Sequence, residues 1–448
     1  MISCILISLS VIFLAVMFSA IFRRGFAQTV PLAVILDILI VYAAGLFGLA
    51  KIGVYAALGI SVICLIFALV ISIGGGDGRA LFFNVFSVGF VVFLIAAAAV
   101  FVLSRDVALD HTFSDKYTMK TIYSLLSDGS FRNVPEAAGI AVPPGYAVFI
   151  YMFTALTGRV TDSNMLTGAG IFVIAMILPV LGKINWRKGY LALAAFPLAF
   201  AALTVGGSRF PIYNALNADA GAILVFSMML VTYMCCEQCG YVYWTLGLGS
   251  AMLVIIRPGG ELLALLMLLI VIIDIAALGF YEVGELFAAP SKWVSVVFYF
   301  LITAVTFASW WIFAGRNGFG RLFKSILITP ERTLGFSGRL GQVFKALISG
   351  KALLPYVLWL VIFIVICAGA AFLAEGFWNR VRTGIQAAIV LLAFIVFLFI
   401  LAFAYTYVYP ITANVKETVD WYITGFIIAM LLYSVNTIVN KFTDRFFA

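Results

Sequence analysis

The chain has 448 residues, 65% of them hydrophobic and 10% charged, with a mean hydropathy of +1.18. A soluble globular chain carries roughly 25% charged residues, so a soluble enzyme, a disordered chain and a nucleic-acid binder are excluded. The formal net charge of +8 then points to loops at a membrane surface, where basic residues gather and meet anionic lipid.

In chain order, apolar runs that suit spans of about 20 residues cover 1–22, 29–50, 52–73, 81–103, 165–181, 189–205, 219–235, 240–256, 261–280, 293–314, 353–374, 384–409 and 421–439. The expected fold is all-α: a polytopic membrane protein of about 13 transmembrane helices with juxtamembrane helices on one face. Met1 to Phe22 reads as a span rather than a cleaved signal, because it has no basic start and no small-residue cleavage site. Tyr146 to Thr157 has 12 residues, too short to cross, and suits an interfacial or re-entrant helix. Cys235, Cys236 and Cys239 read as small apolar residues. A structural zinc site wants a second ligand pair, and the only histidine, His111, lies in another loop.

Orientation follows from Lys and Arg in short loops. If Tyr146 to Thr157 does not cross, one side receives Arg23, Arg24, Arg79, Lys183, Arg187, Lys188, Lys292, Arg380, Arg382, Lys441 and Arg445. The short loops opposite hold Lys51, Arg209, Arg257 and Lys416. The first side is expected to be cytoplasmic, with the N-terminus outside and the C-terminus inside. The 38-residue loop 315–352 resists this count, since it places Arg316, Arg321, Lys324, Arg332, Arg339, Lys345 and Lys351 outside against one acid, Glu331. Either an anionic ligand holds those charges outside, or the topology changes after residue 292.

Polar chemistry collects on the outer face. The loop 104–145 carries Asp110, His111 and Asp115. Asp115 to Ser127 reads as an amphipathic helix lying on the membrane, with Phe113, Tyr117, Ile122, Leu125 and Leu126 on or beside its apolar face and Gly129 as its stop. Pro143 and Pro144 make a rigid corner into the short helix that follows. Further on, Arg209 precedes Asp219, which opens a span and reads equally as a helix-start acid or as a catalytic one. Arg257, before Pro258 and Gly259, reads either as a snorkelling cation or as a phosphate clamp. Asp37 and Asp274 fall inside spans, where carboxylates serve as proton relays in transporters.

This order of features resembles the GT-C superfamily of integral membrane glycosyltransferases, which includes protein mannosyltransferases and lipid A aminoarabinose transferases. The resemblance rests on Asp110-His111 with Phe113-Ser114-Asp115, the corner Pro143-Pro144-Gly145 with Gly158-Arg159, the stretch from Ser208-Arg209 to Asp219, and Arg257-Pro258-Gly259, over roughly residues 81–315. It divides the chain into N-terminal helices 1–103 (three added spans and a first core span), an outer loop 104–158, core helices 159–314, a basic outer loop 315–352 and C-terminal helices 353–448.

The resemblance implies transfer of a sugar, with inversion, from a polyprenyl-phosphate-linked donor to an acceptor hydroxyl on a glycan, lipid or protein at the outer face of a bacterial plasma membrane. Asp110 is then the general base, with Asp219 orienting the acceptor or sharing the role, and His111 and Asp115 beside them. Arg257, Arg316, Arg321 and Arg209 bind the donor phosphate, and Tyr117, Pro143 and Pro144 position the loop and the acceptor. Asp110, His111, Asp115 and Asp219 offer ligands for a divalent ion, but their spacing matches no known metal loop, so no cofactor is assigned. Two alternatives stay open. One is a polysaccharide polymerase or ligase centred on Arg316, Arg321, Arg332 and Arg339. The other is a lipid flippase or transporter that uses Asp37 and Asp274.

Overall fold

Inside hydrocarbon every backbone N–H and C=O has to be satisfied within the protein, and a helix does this without help from its neighbours. The computed structural model describes residues 2–109, 116–137, 140–205, 216–236, 240–281, 290–319, 341, 350–407 and 415–447, and they form an α-helical bundle. Among them, 11 helices are long and apolar enough to cross a membrane. The count rises to 12 if Gly78–Val85 and Val88–Leu103, bent by 43°, make one span. This corrects the expected thirteen. The run 240–256 forms a 17-residue helix, Gly240–Ile256, about 26 Å long at 1.5 Å per residue and short of a roughly 30 Å core. The run 81–103 is broken at Phe86 and Ser87, where Ser87 adopts extended backbone.

The helices are α1 (Ile2–Phe22), α2 (Phe26–Leu46), α3 (Ala50–Gly74), α4 (Gly78–Val85), α5 (Val88–Leu103), α6 (Lys116–Asp128), α7 (Gly145–Ala155) and α8 (Asp162–Ile177). They continue as α9 (Ala192–Ala202), α10 (Ala218–Cys235), α11 (Gly240–Ile256), α12 (Gly260–Tyr281), α13 (Pro290–Arg316), α14 (Gly350–Leu373), α15 (Phe377–Tyr407) and α16 (Val415–Phe447). A two-residue antiparallel pair, Glu136–Ala137 with Ile140–Ala141, interrupts the all-α pattern ahead of α7.

The core lies on α2, α7, α8, α10, α11 and α16. The outer helices α3, α13 and α14 turn Ile63, Val70, Val305 and Val365 outward. Lipid tails are as apolar as these side chains, so packing between spans depends on close approach of small residues. Gly53 on α3 lies against Ala44 and Val41 of α2, and Gly89 on α5 lies against Ala27 of α2.

Contacts between loops sort the two ends of the bundle. At one, the far end, Arg23 pairs with Asp77 at 2.6 Å and Lys183 with Asp444 at 3.3 Å. Trp186 Nε1 donates to the Phe86 carbonyl at 2.7 Å, and Arg445 Nη1 to that of Phe372 at 3.4 Å. These contacts bring together the ends of spans that carry the larger set of lysines and arginines. At the other, the site end, Ala50 N donates to Gly129 O at 2.9 Å and Trp310 Nε1 to Ala141 O at 3.4 Å. Leu109 N donates to Asp162 Oδ2 there at 3.0 Å.

The short helix α7 has both its termini at the site end. Its first residue, Gly145, abuts the Ile255 carbonyl at the end of α11. The Phe153 carbonyl near its other terminus accepts from Ser3 Oγ, at the start of α1, at 2.7 Å. All its residues are buried, and at 11 residues it is too short to cross.

The amphipathic helix is present as α6, one residue beyond the expected 115–127 at its C-terminal end. Its start at Asp115 lies outside the described residues. Thr118, Thr121, Ile122, Ser124 and Leu125 are buried, and α6 packs on α7. This corrects the membrane-surface reading: the apolar face is covered by protein. Gly129 ends the helix with φ of +65°, its N–H bonded to Leu125 O at 3.1 Å, a conformation glycine adopts at little cost.

Replacing Gly53 with leucine forces α2 and α3 apart and is expected to cost about 1–3 kcal/mol as overpacking. Leucine at Gly59, which has nothing within 4 Å of its added Cβ, should be neutral. Thermal unfolding of both variants in detergent checks the difference.

Candidate functional site

The site forms where three spans meet at one turn. α10 begins at Ala218, and its cap is Asn217, whose Oδ1 accepts from Asp219 N at 2.9 Å and Ala220 N at 3.1 Å. Asn217 thus does the capping that the sequence left open for Asp219. The Asp219 carboxylate instead pairs with the Arg257 guanidinium.

Arg257 sits in the tight turn between α11 and α12. Gly259 there has φ of +91°, which glycine supplies without steric cost. Gly260 lies so close to the Leu253 carbonyl that any side chain would collide with it. The Gly259 N–H donates to Glu261 Oε2 at 3.0 Å. With the turn closed, Arg257 Nε reaches the Pro258 carbonyl at 3.1 Å and Nη2 reaches Tyr422 Oη on α16 at 2.7 Å. The guanidinium also lies 5.3 Å from the Tyr422 ring centroid, a cation–π distance. The arginine side chain is 17% exposed and the aspartate 38%, so the cation is held inside while the carboxylate faces the mouth.

Below this polar head is a small pocket with largely apolar walls, about 370 Å³ of space counting its open mouth. Ile223 and Phe226 of α10, Leu263 of α12, Phe397 of α15 and Phe426 of α16 form much of its wall. The Phe226 and Phe397 rings pack on Phe426 at 5.5 and 5.1 Å. Gly425 lets α16 close against Ile223.

The Pro143-Pro144 corner reaches the same region. Pro144 is the N-cap residue of α7. Gly145 abuts Ile255, two residues before Arg257, and Tyr146 packs on Gly221, two residues after Asp219.

The structure therefore brings together Asp219, Arg257 and the Pro143-Pro144 corner. It separates Arg316, exposed on the last turn of α13, and Tyr117, half-buried on α6; neither lines the pocket. Asp110, His111, Asp115, Arg209 and Arg321 lie outside the described residues. Leu109, directly before Asp110, is buried and tied to Asp162 at the start of α8. Tyr422 and the phenylalanine wall carry no local signal. An aromatic at the start of a span reads as an interface anchor, and only the packing of α16 on α10 gives Tyr422 its role.

Chemically, the site offers one guanidinium with a carboxylate and a phenol in its reach, above an apolar wall at the end of the bundle. A guanidinium in this setting binds phosphate or carboxylate bidentately. Compared with protein-family models, with curated proteins and with solved structures, the chain finds no match.

A double-mutant cycle on Asp219→Asn and Arg257→Ala is expected to give a coupling of about 0.5–3 kcal/mol, the range for contacting residues. Thermal unfolding in detergent reads it. Strict additivity would show that the pair does not tie α10 to the turn.

Proposed function

We propose that the chain is a membrane glycosyltransferase of the GT-C type, moving a sugar from a polyprenyl-phosphate-linked donor to an acceptor hydroxyl. The observation that carries this reading is Arg257, a cation held at the rim of an apolar-walled pocket at one end of the bundle. A lipid phosphate needs that pairing: a fixed guanidinium for the anion and apolar surface for the chain behind it. The far end, with its larger set of lysines and arginines, faces the cytoplasm. The pocket then opens on the outer face, with the N-terminus outside and the C-terminus inside.

In this reading the acceptor oxygen attacks the anomeric carbon, its proton passes to Asp110, and the bond from that carbon to the phosphate oxygen breaks with inversion. The leaving phosphate takes over the guanidinium of Arg257 and displaces Asp219. The freed carboxylate of Asp219 then orients the acceptor or shares the base role.

A flippase or transporter is the second reading. It is favoured by Asp274, which is buried and accepts from Tyr233 Oη at 2.9 Å, and by Asp37, which is buried and accepts from Ser10 Oγ at 3.0 Å.

Sugar transfer in membranes that express wild type, Asp110→Asn, Arg257→Ala or Asp274→Asn at matched levels separates the two. The donors are a panel of radiolabelled polyprenyl-phosphate sugars. A glycosyltransferase consumes a donor in the wild type, loses about 10²-fold or more without the base or the phosphate clamp, and retains activity in Asp274→Asn. Full activity in both Asp110→Asn and Arg257→Ala would overturn the assignment of roles. No consumption by wild type, together with movement of a lipid phosphate across the bilayer that depends on Asp274, would replace the enzyme by the transporter.

A further inference from the structure

The last half of α16 is unusual for a span. Tyr433, Asn436, Thr437, Asn440 and Thr443 recur at three- and four-residue spacing, and all are buried. This puts five polar side chains along one side of a helix within a bundle whose other buried surfaces are largely apolar.

Part of their hydrogen-bonding capacity is met by protein. Asn440 Nδ2 donates to Asn436 Oδ1 at 2.7 Å, and Asn436 Nδ2 to the Pro179 carbonyl at 3.3 Å. Thr437 Oγ1 meets Cys235 Sγ at 3.5 Å. The buried Lys188 reaches the Thr443 carbonyl with Nζ at 3.3 Å. Three atoms are left over: Tyr433 Oη, Asn440 Oδ1 and Thr443 Oγ1 bond to no protein atom. They are half of the six such side-chain atoms among the described residues, and they lie between positions 433 and 443 of one helix. A buried polar atom without a partner is costly, and ordered water is the usual remedy.

The line also has a direction. Thr443 adjoins Asp444, which pairs with Lys183 at the far end of the bundle. Tyr433 lies ten residues deeper, about 15 Å at 1.5 Å per residue, or half of a roughly 30 Å core. There Thr437, four residues from Tyr433, meets Cys235 on α10, two residues past Tyr233, whose hydroxyl donates to the buried Asp274.

We propose that this face of α16 lines a hydrated crevice that carries water from the far end of the bundle to the Asp274–Tyr233 pair. Its ligands are water and the protons that water carries. It opens at the end opposite the Arg257 pocket and does not depend on the sugar-transfer reading. It gives a carboxylate in the middle of the bundle a route to one aqueous phase.

Hydroxyl-radical footprinting of the wild-type protein in detergent tests this, because buried side chains are modified only where water lies beside them. Tyr433 should be modified at least about tenfold faster than Phe426, a buried aromatic on the same helix, and Asn440→Leu, which fills the crevice with an apolar side chain, should lower that rate. Equal protection of Tyr433 and Phe426 in the wild type would overturn the crevice, whether or not the leucine variant folds. A Tyr433 rate unchanged in a folded Asn440→Leu variant would also overturn it, since water would then reach Tyr433 by another path.

Discussion

A guanidinium at the end of an apolar bundle has to be paired, because a charge near hydrocarbon costs several kcal/mol unless it is met by countercharge and hydrogen bonds. Arg257 meets that requirement with Asp219 from α10, Tyr422 from α16 and the Pro258 carbonyl of its own turn. Each partner sits on a different part of the chain, so satisfying one cation fastens α10, the α11–α12 turn and α16 at one point. The pocket below it exists because those helices are held at that spacing, with Gly425 admitting Ile223 and the Gly259-Gly260 turn reversing the chain within four residues.

The short helix α7 has a comparable effect on the chain's course. Its two ends lie at the same end of the bundle, against Ile255 and against Ser3. A crossing helix there would have sent every later loop to the opposite side. Because it does not cross, the turn holding Arg257, the start of α10 and the end of α13 all lie at the end where α1 begins. Arg316 closes α13 at the site end, and α14 returns to the far end, where Arg445 bonds the Phe372 carbonyl.

The spans were legible because hydrocarbon imposes a length and an apolar composition that a sequence cannot hide. Most of the expected runs coincide with helices. The exceptions are short-range: Ser87 breaks one run into two, and Gly240–Ile256 is too short to cross by itself. The stop at Gly129 was legible too, since a left-handed residue after a helix has a strong preference for glycine. The surface position of α6 was misjudged. Its polar-apolar pattern shows that one face is covered and does not show by what, and the cover is α7.

Composition, span length and the distribution of lysine and arginine determine by themselves that this is a many-spanning helical membrane protein with two unlike ends. They also mark Asp219 and Arg257 as charged residues bordering spans. Those properties follow from the exclusion of charge and of open backbone from lipid, which acts residue by residue. Only the tertiary structure decides that Asn217 is the cap and leaves Asp219 to Arg257, that Tyr422 completes the site, and that one face of α16 buries polar atoms with no protein partner. Each of these depends on helices far apart in the chain meeting at particular heights, a matter of packing between small residues and rings that no local stretch of sequence encodes.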